Sequence, residues 1–234
     1  DTRILDISYV AFDSGRKIDL LDIGKFCRER DIIFIVDATQ AFGGMPITSA
    51  ELSYIDVLAC SCYKWLLGPY GTSFAYYSDK MVSLIKSKSG NWINSPNSKQ
   101  VWNLLEYTTE TLSGARKFDR GQAPNMLANA ALEASLELLD EVGLNTVHSH
   151  NTKLQNYFIE NFPCKKYEIV TPLDSMGHIL SLKSKNAGSL HLEEDLKFYN
   201  IDVSVRQGKL RLSFHLFNRI DQIDLLIEAL DKTK

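Results

Sequence analysis

No apolar run in this 234-residue chain approaches the roughly eighteen residues that a membrane span requires, and the opening DTRILDIS lacks the charged-then-apolar layout of a signal peptide. Neither charge sign is in marked excess. Lys and Arg number 26 against 29 Asp and Glu, a formal net charge of −3, so a nucleic-acid or anionic-membrane surface has no electrostatic support. Cysteines are few. Cys27, Cys60, Cys62 and Cys164 form no C-x-x-C pair, which argues against a metal site or a disulfide frame and for reduced thiols. Cys60 and Cys62 lie in an apolar run, where small buried side chains belong. Repeats and low-complexity tracts are also missing. What remains is ordinary globular material: 44% of residues are hydrophobic, enough for one sizeable core or two modest ones and too much for intrinsic disorder. A soluble, cytoplasmic protein with a small molecule or another protein as partner is expected.

The order of elements reads as α/β. Ile4 to Phe12 is β-rich; Asp19 to Arg30 follows with Leu20, Ile23 and Phe26/Cys27 at helical spacing and Asp19 as a cap. Ile32 to Val36 is a continuous apolar run, the mark of a parallel strand covered on both faces. Strand, helix, strand in about thirty residues is a βαβ unit. Apolar runs at 55–60 and 72–77 continue the sheet, residues 87–100 read as a long polar loop, and a strong helix runs from Pro124 to Gly143. A second helix over 144–162 stops at Pro163. Strands at 167–171 and 178–183, a helix at 189–199, strands at 201–205 and 209–214 and a helix at 221–231 then form a smaller α/β unit. The division is placed near residue 140, giving units 1–140 and 141–234. The chain opens at Asp1 without Met and enters a strand within three residues, as a piece cut from a longer protein would.

Two polar groups stand at the ends of apolar strands, Asp37 after IIFIV and Lys64 beyond IDVLAC, and ligands of α/β sheets bind at the carboxyl ends of strands. Each alone has a plain explanation, a turn-forming Asp and a solvated Lys. Apolar neighbours from Cys60 to Leu67 make Lys64 the more informative, because desolvation favours the neutral amine that a Schiff-base nucleophile needs. Arg211 alternates with Leu210, Leu212 and Phe214 and so occupies the opposite face of its strand.

VDATQAFG (36–43) followed by SCYKWLLGPYGTSF (61–74) resembles the cofactor region of the class V pyridoxal-phosphate enzymes, which include aminotransferases, cysteine desulfurases, selenocysteine lyases and isopenicillin-type epimerases. ARKFDRGQAPN (115–125) and LRLSFHLFN (210–218) extend the resemblance. It implies a type I, aspartate-aminotransferase-like α/β fold, here the later part of the cofactor-binding large domain (1–140) and a small C-terminal domain (141–234). It implies that Lys64 forms the internal aldimine and shuttles the α-proton, that Asp37 holds the pyridine nitrogen and that Gln40 meets the phenolic oxygen. Ser61 and Tyr63 would bind the phosphate, Tyr63 standing where the family often has His. Arg211 would hold the substrate carboxylate, with Arg206 a weaker second candidate, and a homodimer would complete the site.

Departures accompany the resemblance. Gly121-Gln122 replaces a Gly-Thr pair whose threonine reaches the partner subunit's phosphate, and the family's phosphate-cradling turn and ring-stacking aromatic belong before Asp1. The segment from Lys183 to Arg211 has no cysteine to form a persulfide. Amino transfer or epimerisation of an amino acid is therefore the expected activity, with a desulfurase-type or selenocysteine-lyase-type cleavage as the alternative and a non-catalytic interaction module as a second. His148 and His150 do not share a helix face, and His178, His191 and His215 have no ligand-spaced partner, so no metal is expected. Trp92 and Trp102 flank the polar loop as packing or lid residues, and GSLHLEED reads as a capped surface helix.

Overall fold

The computed structural model describes residues 1–86, 90–99, 108–119, 125–163, 165–185 and 192–232. Cys164, Gly121, Gln122, Trp102 and His191 lie outside them, as does Pro124 at the expected start of the long helix.

The first sheet is built as the apolar runs require. Strand β1 (Ile4–Ser8) leads to helix α1 (Leu20–Glu29), whose N-terminus is capped by the Asp19 carboxylate accepting from Asp22 N at 2.9 Å. Strand β2 (Ile33–Asp37), a short helix α2 (Ser49–Leu52) and strand β3 (Val57–Ser61) follow. Helical crossovers on one side make β1, β2 and β3 parallel neighbours. Strand β4 (Ser73–Tyr77) joins antiparallel to β3, because the connection over 62–72 contains no helical crossover. The first expected strand stops four residues short of Phe12. There the chain turns through Gly15 (φ +71°), which packs so closely on Ile179 that a Cβ would sit 1.9 Å from that residue's carbonyl oxygen. Helix α3 (Asp79–Leu84), capped by Ser78, was not expected from periodicity.

Helices α4 (Met126–Val142) and α5 (Leu144–Asn161) are joined by Gly143 at φ +82°, a conformation that a side chain resists. The second sheet has the order β5-β6-β8-β7, with β5 (Tyr167–Ile169), β6 (Ile179–Ser184), β7 (Ser204–Arg206) and β8 (Lys209–Ser213) all antiparallel. Helices α6 (Leu192–Phe198) and α7 (Ile220–Lys232) accompany it. Gln207 and Gly208, both at positive φ, form the two-residue turn between β7 and β8.

Two apolar clusters result. One gathers Phe34, Val36, Leu58, Cys60 and Trp65 with Leu139, Val147 and Ile179. The other gathers Leu154, Phe158, Leu180, Leu182, Leu210 and Leu212. Helix α5 contributes to both, so it fixes β6 and β8 against the end of the first sheet. No described helix is long and apolar enough to cross a membrane.

Candidate active site

The carboxyl ends of β2 and β3 are tied together by short polar bonds. Asp37 Oδ1 accepts from Thr39 N at 2.8 Å, and Thr39 Oγ1 accepts from Ser61 N at 3.0 Å. The chain leaving β3 then curls back, with Leu67 N donating to Lys64 O and Gly68 N to Cys62 O, both at 2.9 Å. Leu67 adopts φ +57°, a left-handed conformation that a branched side chain rarely takes. That curl lifts Tyr63 and Lys64 out of the sheet and sends Trp65 into the core.

A cavity of about 520 Å³ opens where this loop meets β8, and its wall includes Gln40, Tyr63, Lys64, Trp65, Arg206 and Arg211. Five side chains singled out in the sequence, Gln40, Tyr63, Lys64, Arg206 and Arg211, thus share one space. Asp37 and Ser61 are not part of that wall. Asp37 is solvent-exposed, yet its charge acts on Lys64. Lys64 is half-buried, and burial lowers its pKa below the usual lysine range. Arg211 and Arg206 push in the same direction, and Asp37 opposes them. The Tyr63 ring stacks on Tyr70, with centroids 4.4 Å apart, and the Lys64 Nζ lies 5.6 Å from the Tyr63 ring centre. Arg211 Nη1 donates to Phe12 O at 3.1 Å.

The group that sequence reading missed reaches from the cavity wall, where Trp65 and His215 stand, to the buried His178. Trp65 packs between His178, at 3.6 Å between ring centroids, and His215, at 5.4 Å. His178 Nε2 donates to Gln40 O at 2.5 Å, and His215 Nε2 donates to Trp65 O at 3.0 Å while its Nδ1 accepts from Leu216 N. Trp65 Nε1 in turn donates to the Gln40 side-chain oxygen at 3.4 Å. Both imidazoles are therefore neutral struts that fix the loop bearing Lys64. Gln40 and His178 stand 138 positions apart, and no local spacing could have linked them.

Burial depresses the His178 pKa from 6.5 to about 3. Between those values the unfolded chain binds a proton that the folded chain refuses, so stability falls as pH drops through this window, by up to about 1.4 kcal/mol per pH unit. Urea unfolding from neutral pH to about pH 4.5 should show this slope, and His178→Gln should flatten it. An unchanged slope in that variant would assign the acid sensitivity to other groups.

The three described cysteines, Cys27, Cys60 and Cys62, are buried free thiols. Burial raises the pKa of each, and carries that of Cys60 up to about 12. None is a ready nucleophile at neutral pH.

A family model described as "Aminotransferase class-V" matches residues 1–226. Among curated proteins, the cysteine desulfurase IscS of Pasteurella multocida is 42% identical over 80 residues, which is 34% of this chain and 19% of that protein. Among solved structures, a variant of C-DES with glycine covalently linked to its PLP cofactor superposes with a TM-score of 0.88 at 17% identity, over 100% of this chain and 61% of the other. Alanine–glyoxylate aminotransferase from a Nostoc species does so with a TM-score of 0.75 at 20% identity, over 98% of this chain and 61% of the other. At such identities the superpositions establish the fold. The alignments span between 19% and 59% of the length of the curated relatives.

Proposed function

Because the chain belongs to the class-V aminotransferase family, we propose that the full-length protein is a pyridoxal-phosphate-dependent enzyme acting at the α-carbon of an amino acid, with Lys64 as the residue that carries the cofactor. The observation that carries this reading is a half-buried amine with a lowered pKa on the wall of a cavity that also holds Gln40, Tyr63 and Arg211. The wall fits the cofactor in part, with an amine to bond its carbonyl, a carboxamide and a phenol, while the Asp37 carboxylate and the Ser61 hydroxyl stand at the strand ends outside it. When bound, pyridoxal phosphate supplies an electron sink for charge developing at the substrate α-carbon.

The chain's own residues do the rest. The neutral amine of Lys64 is the competent nucleophile, the lowered pKa makes that form more available, and once released by substrate the amine can take and return a proton at the α-carbon. Asp37 would hold a protonated pyridine nitrogen, and its bond from Thr39 N orients it for that role. Gln40 would meet the ring's phenolic oxygen, and Ser61 and Tyr63 the phosphate. Arg211 would bind the substrate carboxylate through its planar fork.

Amino transfer or epimerisation is the reaction we favour. A C–S or C–Se lyase is the second reading, supported by the desulfurase names among the relatives. It is weakened by the lack of any cysteine from Lys183 to Arg211 and by the buried, protonated state of the three described thiols. We further propose a cytoplasmic homodimer, with the chain divided near residue 140. Support for the dimer is the apolar surface of α4, where Met126, Leu127, Leu136 and Leu138 are exposed; support for the division is the pair of apolar clusters.

The test is direct. Mixed with pyridoxal phosphate, the full-length protein should develop a visible absorbance band, and borohydride followed by peptide mapping should place a reduced adduct on Lys64. An adduct on any other lysine, or no band, would overturn the assignment.

A further inference from the structure

The wall of the Lys64 cavity carries three charged side chains, Lys64, Arg206 and Arg211, and no acidic one. Asp13, next in sequence to the wall residue Phe12, is engaged by Lys209 at 3.6 Å. Among the described residues, neither arginine has a carboxylate within ion-pair distance. Arg206 Nη1 donates only to its neighbour's carbonyl, Val205 O at 2.9 Å, and Arg211 Nη1 donates to Phe12 O. Each guanidinium has five donors, so most remain available to a ligand.

Register explains why the two point the same way. Ser204 on β7 pairs directly with Arg211 on β8. Arg206 lies two residues beyond Ser204 and so on the same face, a diagonal neighbour of Arg211 at roughly 7–8 Å between backbones. The two-residue turn at Gln207-Gly208 holds this arrangement. Two guanidiniums at such spacing repel each other, as the effect of Arg206 on Arg211 records, unless anions lie between or above them.

The cofactor reading above, on which this inference rests, engages Lys64 with the cofactor and Arg211 with the α-carboxylate. One cation is left over. We propose that Arg206 binds a second anionic group on the substrate, so that the substrate class is amino acids with an acidic side chain, carboxylate or phosphate. A neutral substrate would leave Arg206 beside Arg211 with only half of the local charge balanced.

The experiment has two arms. The cofactor-loaded full-length protein is titrated with aspartate, glutamate, phosphoserine and alanine while the visible band is followed, and the cofactor-free protein is titrated calorimetrically with succinate and propionate. At least one acidic amino acid should bind about tenfold or more tightly than alanine, the scale of one charge-assisted bidentate contact. Arg206→Gln should collapse that ratio toward one, whereas Arg211→Gln should weaken acidic and neutral amino acids alike. The ranking of phosphoserine against aspartate and glutamate separates the two anion chemistries. If alanine matches all three while the band forms normally, the inference falls and the cofactor reading stands. If no band forms, the cofactor reading falls. Calorimetry then decides the role of Arg206: equal binding of succinate and propionate, or a succinate preference that survives Arg206→Gln, overturns it.

Discussion

Replacing Lys64 with alanine in the full-length protein should abolish the borohydride-fixed adduct and lower turnover by at least about 10²–10⁴-fold, the contribution of a positioned acid–base group alone. The expectation follows from where the amine sits. Burial and two guanidinium charges favour its neutral form, and neutrality is what both bond formation to a carbonyl and proton abstraction demand. The variant should fold, because among the described residues the Lys64 side chain makes no hydrogen bond or ion pair, and its amine lies over the Tyr63 ring at the wall of an open cavity. Circular dichroism and an unaltered urea midpoint would establish that point. Lys80→Ala is the matched control, since Lys80 pairs with Asp31 and Asp56, away from the cavity. Equal loss in both variants, or full turnover without Lys64, would remove this lysine from the chemistry.

The second large effect concerns the support of the same loop. Gly43→Ala should cost roughly 2–5 kcal/mol, combining an unfavourable backbone conformation with a steric conflict that cannot relax. Gly43 has φ +105°, and a Cβ there would lie 2.3 Å from Trp65 O, 2.5 Å from Trp65 C and 2.8 Å from Leu66 N. Those are backbone atoms of the segment immediately following Lys64. Relief requires that segment to move, so cofactor binding should weaken along with stability. Gly71→Ala separates the two causes. Gly71 also has positive φ, +85°, but a Cβ would meet nothing within 4 Å, so only the backbone penalty of about 1–2 kcal/mol applies. Urea unfolding of the two variants side by side is the measurement. Equal destabilisation would show that contact with the Lys64 loop does not matter.

Much of the architecture was legible locally, and the failures have physical causes. The Asp19 cap, the apolar run ahead of Asp37 and the alternation around Arg211 are near-neighbour patterns whose cause lies in the sequence itself, and the corresponding elements form. The short α2 carried a signal that went unread, a capping box in which Thr48 and Glu51 bond reciprocally, because four residues give no helical period. The direction of β4 was not legible, since side-chain alternation is the same in parallel and antiparallel strands. Residues 87–100 were legible only as a long polar loop; that Asn94 within it is fully buried and bonded to Lys117 O at 3.0 Å depends on a contact made across sequence.

By itself, then, the order of residues marked most of the strands and the longer helices, and it marked Asp37 and Lys64 as polar groups at strand ends. These are properties of side-chain period, capping and local desolvation, all decided within a few residues. Only the tertiary structure decided that Trp65 would be clasped by His178 and His215 and that Asp37 would stand outside the cavity wall. Those outcomes depend on β6, β7 and β8 docking against the end of the first sheet. The contacts of Trp65 with the two histidines join residues more than a hundred positions apart, where no periodicity along the chain can carry the information.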